Sequence, residues 1–254
     1  MDLYALPPLA ALLDGAHTVL MGLAGLIEPL VGTSGAAAAA VVLVTLLVRI
    51  ALIPVGISQA KAERTRARLA PQLAELRRRH GTNPERLQRE TMALYAAEGT
   101  SPFAGCLPLL IQAPIVGVIY ALFILPTIAG HANALLEQSL LGVPLGSSLV
   151  GSIAAGALAP GALIVFGVVI GSIALVGEVT RRVFRVQLAS PTDAAAASSL
   201  ALPAAQRLIG LAQFVTAVIA VFVPLAAALY LLVTVAWTLG QRAVLRRRYP
   251  PLAA

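Results

Sequence analysis

The sequence predicts an all-α polytopic membrane protein. It is expected to have five transmembrane helices, a cytosolic helical hairpin and an N-terminal amphipathic interfacial helix. Three observations carry that reading. First, 59% of the 254 residues are hydrophobic, 11% are charged and the mean hydropathy is +0.89. A soluble domain carries about 25% charged residues. This chain lacks the charge to cover a water-facing surface, and its apolar content excludes a disordered chain. Second, the apolar stretches show no period-2 alternation and aromatics make up 5%, which argues against an outer-membrane barrel. Backbone groups in lipid need internal partners, so a helix bundle remains. Third, the 18 Lys and Arg residues, which give a formal charge of +7, are gathered into a few segments. In a membrane protein such sorting reads as orientation.

Residues 1–35 hold no Lys or Arg. Leu9, Leu12, Leu13, Ala16, Leu20, Leu23 and Ile27 recur at steps of three and four, with Asp14, His17, Met21 and Glu28 on the other side. That is an amphipathic helix, better suited to lying in an interface than to crossing it. Pro7-Pro8 precede it and Pro29 is expected to cut it off. The first residues have no basic n-region, so a cleaved signal peptide is not expected. Residues 36–57 form the first span, apolar but for Thr45 and Arg49.

Residues 58–100 differ sharply, with Lys61, eight arginines and five glutamates. Leu69, Leu73 and Leu76 line one helical face; Leu87, Thr91, Leu94 and Tyr95 line another. Between them, Gly81 suits a C-cap, Thr82 or Asn83 an N-cap and Pro84 a first helical turn. A charged antiparallel hairpin in water is expected. Residues 103–125 form the second span, with Pro108 and Pro114 as candidate kink positions. Residues 126–161 are a Gly- and Pro-punctuated external connection, 162–179 the third span and 180–207 a cytosolic loop. Residues 208–240 are a 33-residue apolar run, too long for one crossing of about 20 residues. It divides at Pro224 into spans 208–223 and 224–240, followed by a basic tail, 241–254.

Five spans place the N-terminus outside and the C-terminus in the cytosol. The expected cytosolic segments then hold 17 of the 18 basic residues, and the eighteenth is Arg49. Arg49 lies eight residues before Ile57, about 12 Å in along a helix. An arginine near mid-span costs about 2.5–3.5 kcal/mol on insertion scales. It reads as a cation in a water-filled cavity, or more simply as a snorkelling anchor. Glu178 is at a membrane edge, and Gln112, Gln213, Thr216, Thr234 and Thr238 are further polar residues of the spans. Each needs a partner on another helix or in water, and together they can line a hydrophilic groove.

The hairpin charges Lys61, Arg64, Arg68, Arg77, Arg78, Arg79, Arg86 and Arg89 read as a solvated face or as a docking arm for a client, a targeting factor or the ribosome. Arg246, Arg247 and Arg248 suit anionic lipid headgroups. The chain has no HExxH, CxxC or GxxxxGK[ST] pattern. Neither an enzyme, a metal site nor a cofactor is expected, and the lone Cys106 has no internal disulfide partner.

The run Ser101-Pro102-Phe103-Ala104-Gly105-Cys106-Leu107-Pro108, then Ile111-Gln112-Ala113-Pro114, follows an arginine-bearing span and a charged hairpin. Together they resemble the YidC-type membrane protein insertases of the Oxa/Alb superfamily, in a short actinobacterial-style form. Leu69-Ala70-Pro71-Gln72-Leu73 resembles the family's hairpin. Val223-Pro224-Leu225-Ala226-Ala227-Ala228-Leu229-Tyr230, closing with Gln241, resembles its last span. Leu231 departs from the Trp the family often has there. The resemblance implies a groove open to cytosol and lipid, with Arg49, Gln112 and Tyr230 at client-binding positions beside Thr45. It implies insertion and chaperoning of nascent membrane proteins in a bacterial plasma membrane, alone or with the Sec translocon. A small-molecule or ion transporter with Arg49 as its anion site is the alternative, and a passive assembly scaffold is a third.

Overall fold

A computed structural model describes residues 7–99, 107–183 and 214–248, without the side chains of residues 107–115. Nearly all of the described chain is helical, as expected. The chain divides into two compact units. The first comprises residues 1–51, 113–180 and 213–239; the second comprises 52–112, 181–212 and 240–254.

In the first unit, α1 (Pro7–Val31) opens on two prolines, a position where no helical N–H is lost. It passes through Pro29 rather than stopping there. It ends at Gly32, whose φ of +82° lets its N–H close back on the Glu28 carbonyl at 2.8 Å. Only glycine adopts that conformation readily. Leu13, His17, Leu20 and Ala24 form the buried stripe, against α2 (Thr33–Ala51). His17, expected on the polar side, is therefore turned inward. Leu12, Val19, Leu26 and Leu30 stay exposed, so α1 offers apolar surface on two faces.

Among the described residues, α1, α2, α8 (Pro160–Val183) and α10 (Leu225–Arg248) are long and apolar enough to cross a membrane. α5 (Leu107–Ile124) covers most of the expected second span, and α9 (Val215–Phe222) is the described part of the fourth. Residues 36–57, expected as one helix, are divided at Leu52. Pro54 is the cause: it has no N–H for the Ile50 carbonyl, and its ring crowds that oxygen. α3 (Ile53–His80) begins there with Pro54 in its first turn. α10, by contrast, runs unbroken from the apolar segment to Arg248.

The connection after α5 is compact. β1 (Thr127–Ile128) and β2 (His131–Ala132) form one hairpin. Beyond α6 (Ala134–Glu137), β3 (Ser139–Leu140) and β4 (Val143–Pro144) form a second. Their two-residue turns, Ala129-Gly130 and Leu141-Gly142, have positive φ throughout, matching the twist of a tight hairpin. Asn133 is 2% exposed and holds the connection to α5. Its Nδ2 donates to the Leu122 and Leu125 carbonyls at 2.8 and 2.9 Å, and its Oδ1 accepts from the Leu135 N–H at 3.2 Å. After α7 (Leu149–Ala154) the chain enters α8. The connection also caps α10: the Leu225 and Ala226 N–H groups donate to the Ser147 and Leu145 carbonyls at 2.8 and 3.0 Å. Leu225–Tyr230 are buried on every side. At the edge of this unit His131 Nε2 meets the Asp14 carboxylate at 2.9 Å. That hydrogen bond raises the His131 pKa.

Asn133→Ala leaves two buried carbonyls without their donors. It is expected to cost about 1–3 kcal/mol, read as a lower thermal midpoint in detergent. An unchanged midpoint would show that Asn133 does not secure the connection.

Candidate functional site

Arg49 and Thr234 are brought together across two helices. Arg49 is in the last turn of α2, half-buried, and its Nη2 donates to the Thr234 hydroxyl on α10 at 3.1 Å. Arg49 stands two residues before α2 ends at Ala51. Among the described residues no carboxylate pairs with this guanidinium.

One turn earlier on α2, Thr45 is 1% exposed and its hydroxyl donates to the Val41 carbonyl at 2.6 Å. It is spent on its own helix and adds nothing to Arg49. On α10, Thr238 likewise donates to the Thr234 carbonyl at 2.7 Å. Tyr230 lies one turn before Thr234, buried, with its ring 6.0 Å from that of Phe123 at a 52° tilt. Burial therefore falls along both helices, from Ala37–Val41 and Leu225–Tyr230 to the half-buried Arg49 and Thr234. The polar pair sits where the packing opens.

The second unit carries the charged hairpin. α3 and α4 (Pro84–Ala97) pack together through Leu69 and Tyr95, both buried. Asn83 is the N-cap, accepting from the Arg86 N–H at 3.0 Å. Gly81 keeps right-handed helical angles. Its need for glycine is space, because a Cβ there would stand 2.7 Å from the Arg77 carbonyl oxygen. An Arg68–Glu98 ion pair ties the two helices together. Arg78 and Arg79 both hold Glu75, each at 2.6 Å. The hydrogen bonds from Arg79 and then Arg78 lower the Glu75 pKa. Lys61, Arg64, Arg77, Arg86 and Arg89 are exposed.

The sequence profile of the 60Kd inner membrane protein family matches residues 29–251. The chain belongs to this family. Curated relatives carry the family's YidC-type names. A membrane protein insertase YidC from Clostridium perfringens strain 13 is 42% identical over 81 residues, covering 32% of this chain and 34% of that one. A membrane protein insertase MisCA from Bacillus subtilis strain 168 is 34% identical over 111 residues, 42% of this chain and 40% of the relative. The YidC of Granulibacter bethesdensis is 37% identical over 103 residues, 41% of this chain and 17% of the relative. These matched stretches span well under half the length of each relative. Family membership and the apolar helices make this chain a bacterial membrane protein.

Of the YidC-type positions read from the sequence, the described contacts join Arg49 to Thr234 and stack Tyr230 on Phe123. Thr216 is half-buried on α9. Gln112 lies on α5, its side chain outside what is described, and Gln213 is outside the described residues. Pro108 and Pro114 both lie on α5, and the residues before Leu107 are outside what is described. Sequence reasoning passed over Asn133, although an Asn directly before an Ala-Leu-Leu helix start is an N-cap signal. It also missed Pro54 as a breaker and Gly56, discussed below.

Thr234→Val removes the acceptor of a charged group and is expected to cost about 1–3 kcal/mol. Adding Arg49→Leu restores most of that loss, because an apolar pair leaves nothing buried and unanswered. Unfolding in detergent reads both. Wild-type stability in Thr234→Val would mean that the hydroxyl does not hold Arg49.

Proposed function

We propose that this chain is a membrane protein insertase and chaperone that works through a hydrophilic groove around Arg49. The reading rests on one observation above all. In a member of the YidC-type family, a permanent cation on a membrane helix donates to a neutral hydroxyl and, among the described residues, pairs with no carboxylate. Such a charge attracts an acidic segment without being neutralised by a fixed partner. In this reading the N-terminus is outside and the C-terminus cytosolic, with α1 in the outer interface.

The mechanism follows from solvation. A client's polar or acidic tail cannot cross hydrocarbon unaided, because unpaired charge in lipid is costly. A wet groove reaching partway in shortens the dry path, and Arg49 draws the tail into it. Thr234, and in this reading Gln112, Gln213 and Thr216, supply hydrogen bonds along the way. The client's apolar segment then moves sideways into lipid. That transfer is favourable by about 25 cal/mol per Å² of apolar surface buried, so no nucleotide is required. The exposed cations of the hairpin recruit clients or partners, with the Sec translocon and the ribosome as the partners proposed. Arg246–Arg248, at the end of α10, lie against anionic headgroups.

The test is insertion of a short client with an acidic external tail into proteoliposomes holding only this protein, read by protease protection of the tail. Wild type and Arg49→Lys are expected to insert it, and Arg49→Ala to fall by tenfold or more. Equal insertion by Arg49→Ala at equal protein level would remove the groove charge from the mechanism. Anion flux lost in Arg49→Ala, without client insertion by wild type, would favour a transporter.

A further inference from the structure

Gln241 closes the last-span motif, yet no step of the insertion reading uses it. It lies on α10 directly after Gly240, where the second unit's part of that helix begins. Its carboxamide rests on the Cα of Gly56, in the first turn of α3. A Cβ built at Gly56 would stand 2.9 Å from Gln241 Cδ and 3.3 Å from Oε1, with Nε2 nearer still. Glycine is not needed there for its backbone. Gly56 is helical, and its N–H donates to the Leu52 carbonyl at 3.1 Å. In such a place glycine is less favourable than alanine. What the bare Cα provides is room for the Gln241 amide.

The spacing adds a second observation. Gly56 follows Arg49 by seven residues, and Gln241 follows Thr234 by seven. Seven residues are about two helical turns, so Thr234 and Gln241 share a face of α10. Both of these side chains meet the chain segment leading from α2 into the hairpin. The Gly56 contact lies just past the Leu52 break, in the first turn of α3. At such a junction between two helices, a side-chain contact fixes the rotation and register of the second.

The geometry points to Gly56 as a seat for Gln241, with the pair acting as a positioning device for the root of the charged hairpin. Gln241 is a positioning residue and not part of the client groove. Its consequence for insertion rests on the insertase reading above; the seat itself does not. The Gln241 side chain is flexible, so a methyl at residue 56 displaces the amide without unfolding the protein. Helix preference alone would make Gly56→Ala more stable. The seat instead predicts a looser hairpin.

The experiment uses the full chain in nanodiscs, in a Cys106→Ser background. Spin labels at Thr82→Cys, on the hairpin turn, and Val168→Cys, exposed on α8, report the hairpin's distance distribution. Gly56→Ala, Gln241→Ala and the double variant are compared with wild type. All three are expected to broaden the distribution equally, since both residues act through one contact. Client insertion is expected to fall about threefold or more in each, while thermal midpoints do not fall in Gly56→Ala. An unchanged distribution in Gly56→Ala, or additive broadening in the double variant, would overturn the seat. A broadened distribution with wild-type insertion would overturn its positioning role. Failure of wild type itself to insert clients would overturn the insertase reading, and the distances would still decide the seat.

Discussion

A guanidinium on α2 has, among the described residues, one neutral hydroxyl and no carboxylate to answer it. A cation on a membrane helix persists only where water, a mobile anion or a polar wall offsets its desolvation. The packing around Arg49 follows from that constraint. Toward the start of α2 and α10, Ala37, Ala40, Val41 and Leu225–Tyr230 are buried with almost no exposed surface. From Arg49 and Thr234 onward burial falls away: Ile50, Ala51, Ile53 and Ala236 are exposed, and Val235, Trp237 and Thr238 are half-buried. The dry, buried end secures the helices, and in the proposed reading the other end is wet and leaves the charge available.

The connection between α5 and α8 serves the dry end. A helix N-terminus leaves unpaired N–H groups, and in apolar surroundings these need partners. Ser147 and Leu145 supply them to α10, and Asn133 does the reciprocal work for the last carbonyls of α5. The connection therefore satisfies the backbone where two helices end. The hairpin has another logic. Its helices meet through little more than Leu69 and Tyr95 as buried side chains, and ion pairs such as Arg68–Glu98 brace them. Exposed pairs of that kind add only about 0–1 kcal/mol each. Such an arm is held by its covalent roots and by contacts like that of Gln241 on Gly56.

Much of this was legible in the sequence. Composition and charge sorting gave the helical membrane class, and Asn83-Pro84 marked the hairpin turn because caps are local chemistry. Arg49 stood out because its residue type conflicts with its surroundings. What stayed illegible was tertiary. No local pattern tells which threonine an arginine will reach, so Thr234 was one polar residue among several. His17 looked polar by type but packs inward, with its ring 5.6 Å from that of His131. Pro29 and Pro54 are the same residue type with opposite outcomes. A helix tolerates one near its end when Gly32 can close it, and breaks at one where a new helix can start. The Ala-Gly and Leu-Gly turns lack the Asn-Gly signature of tight hairpins, so the connection read only as punctuation.

The central claim is that the space beside Arg49 is wet, and the reactivity of cysteines tests it most directly. A thiol reacts with a maleimide as the thiolate, which forms in water and not in lipid. In a Cys106→Ser background, Thr234→Cys beside Arg49 and Val168→Cys on the exposed face of α8 are compared in sealed vesicles with the cytosolic side outward. A membrane-impermeant maleimide is expected to label Thr234→Cys and leave Val168→Cys unmodified. Equal inertness at both positions would mean that Arg49 sits in a dry wall, and the groove account would fail.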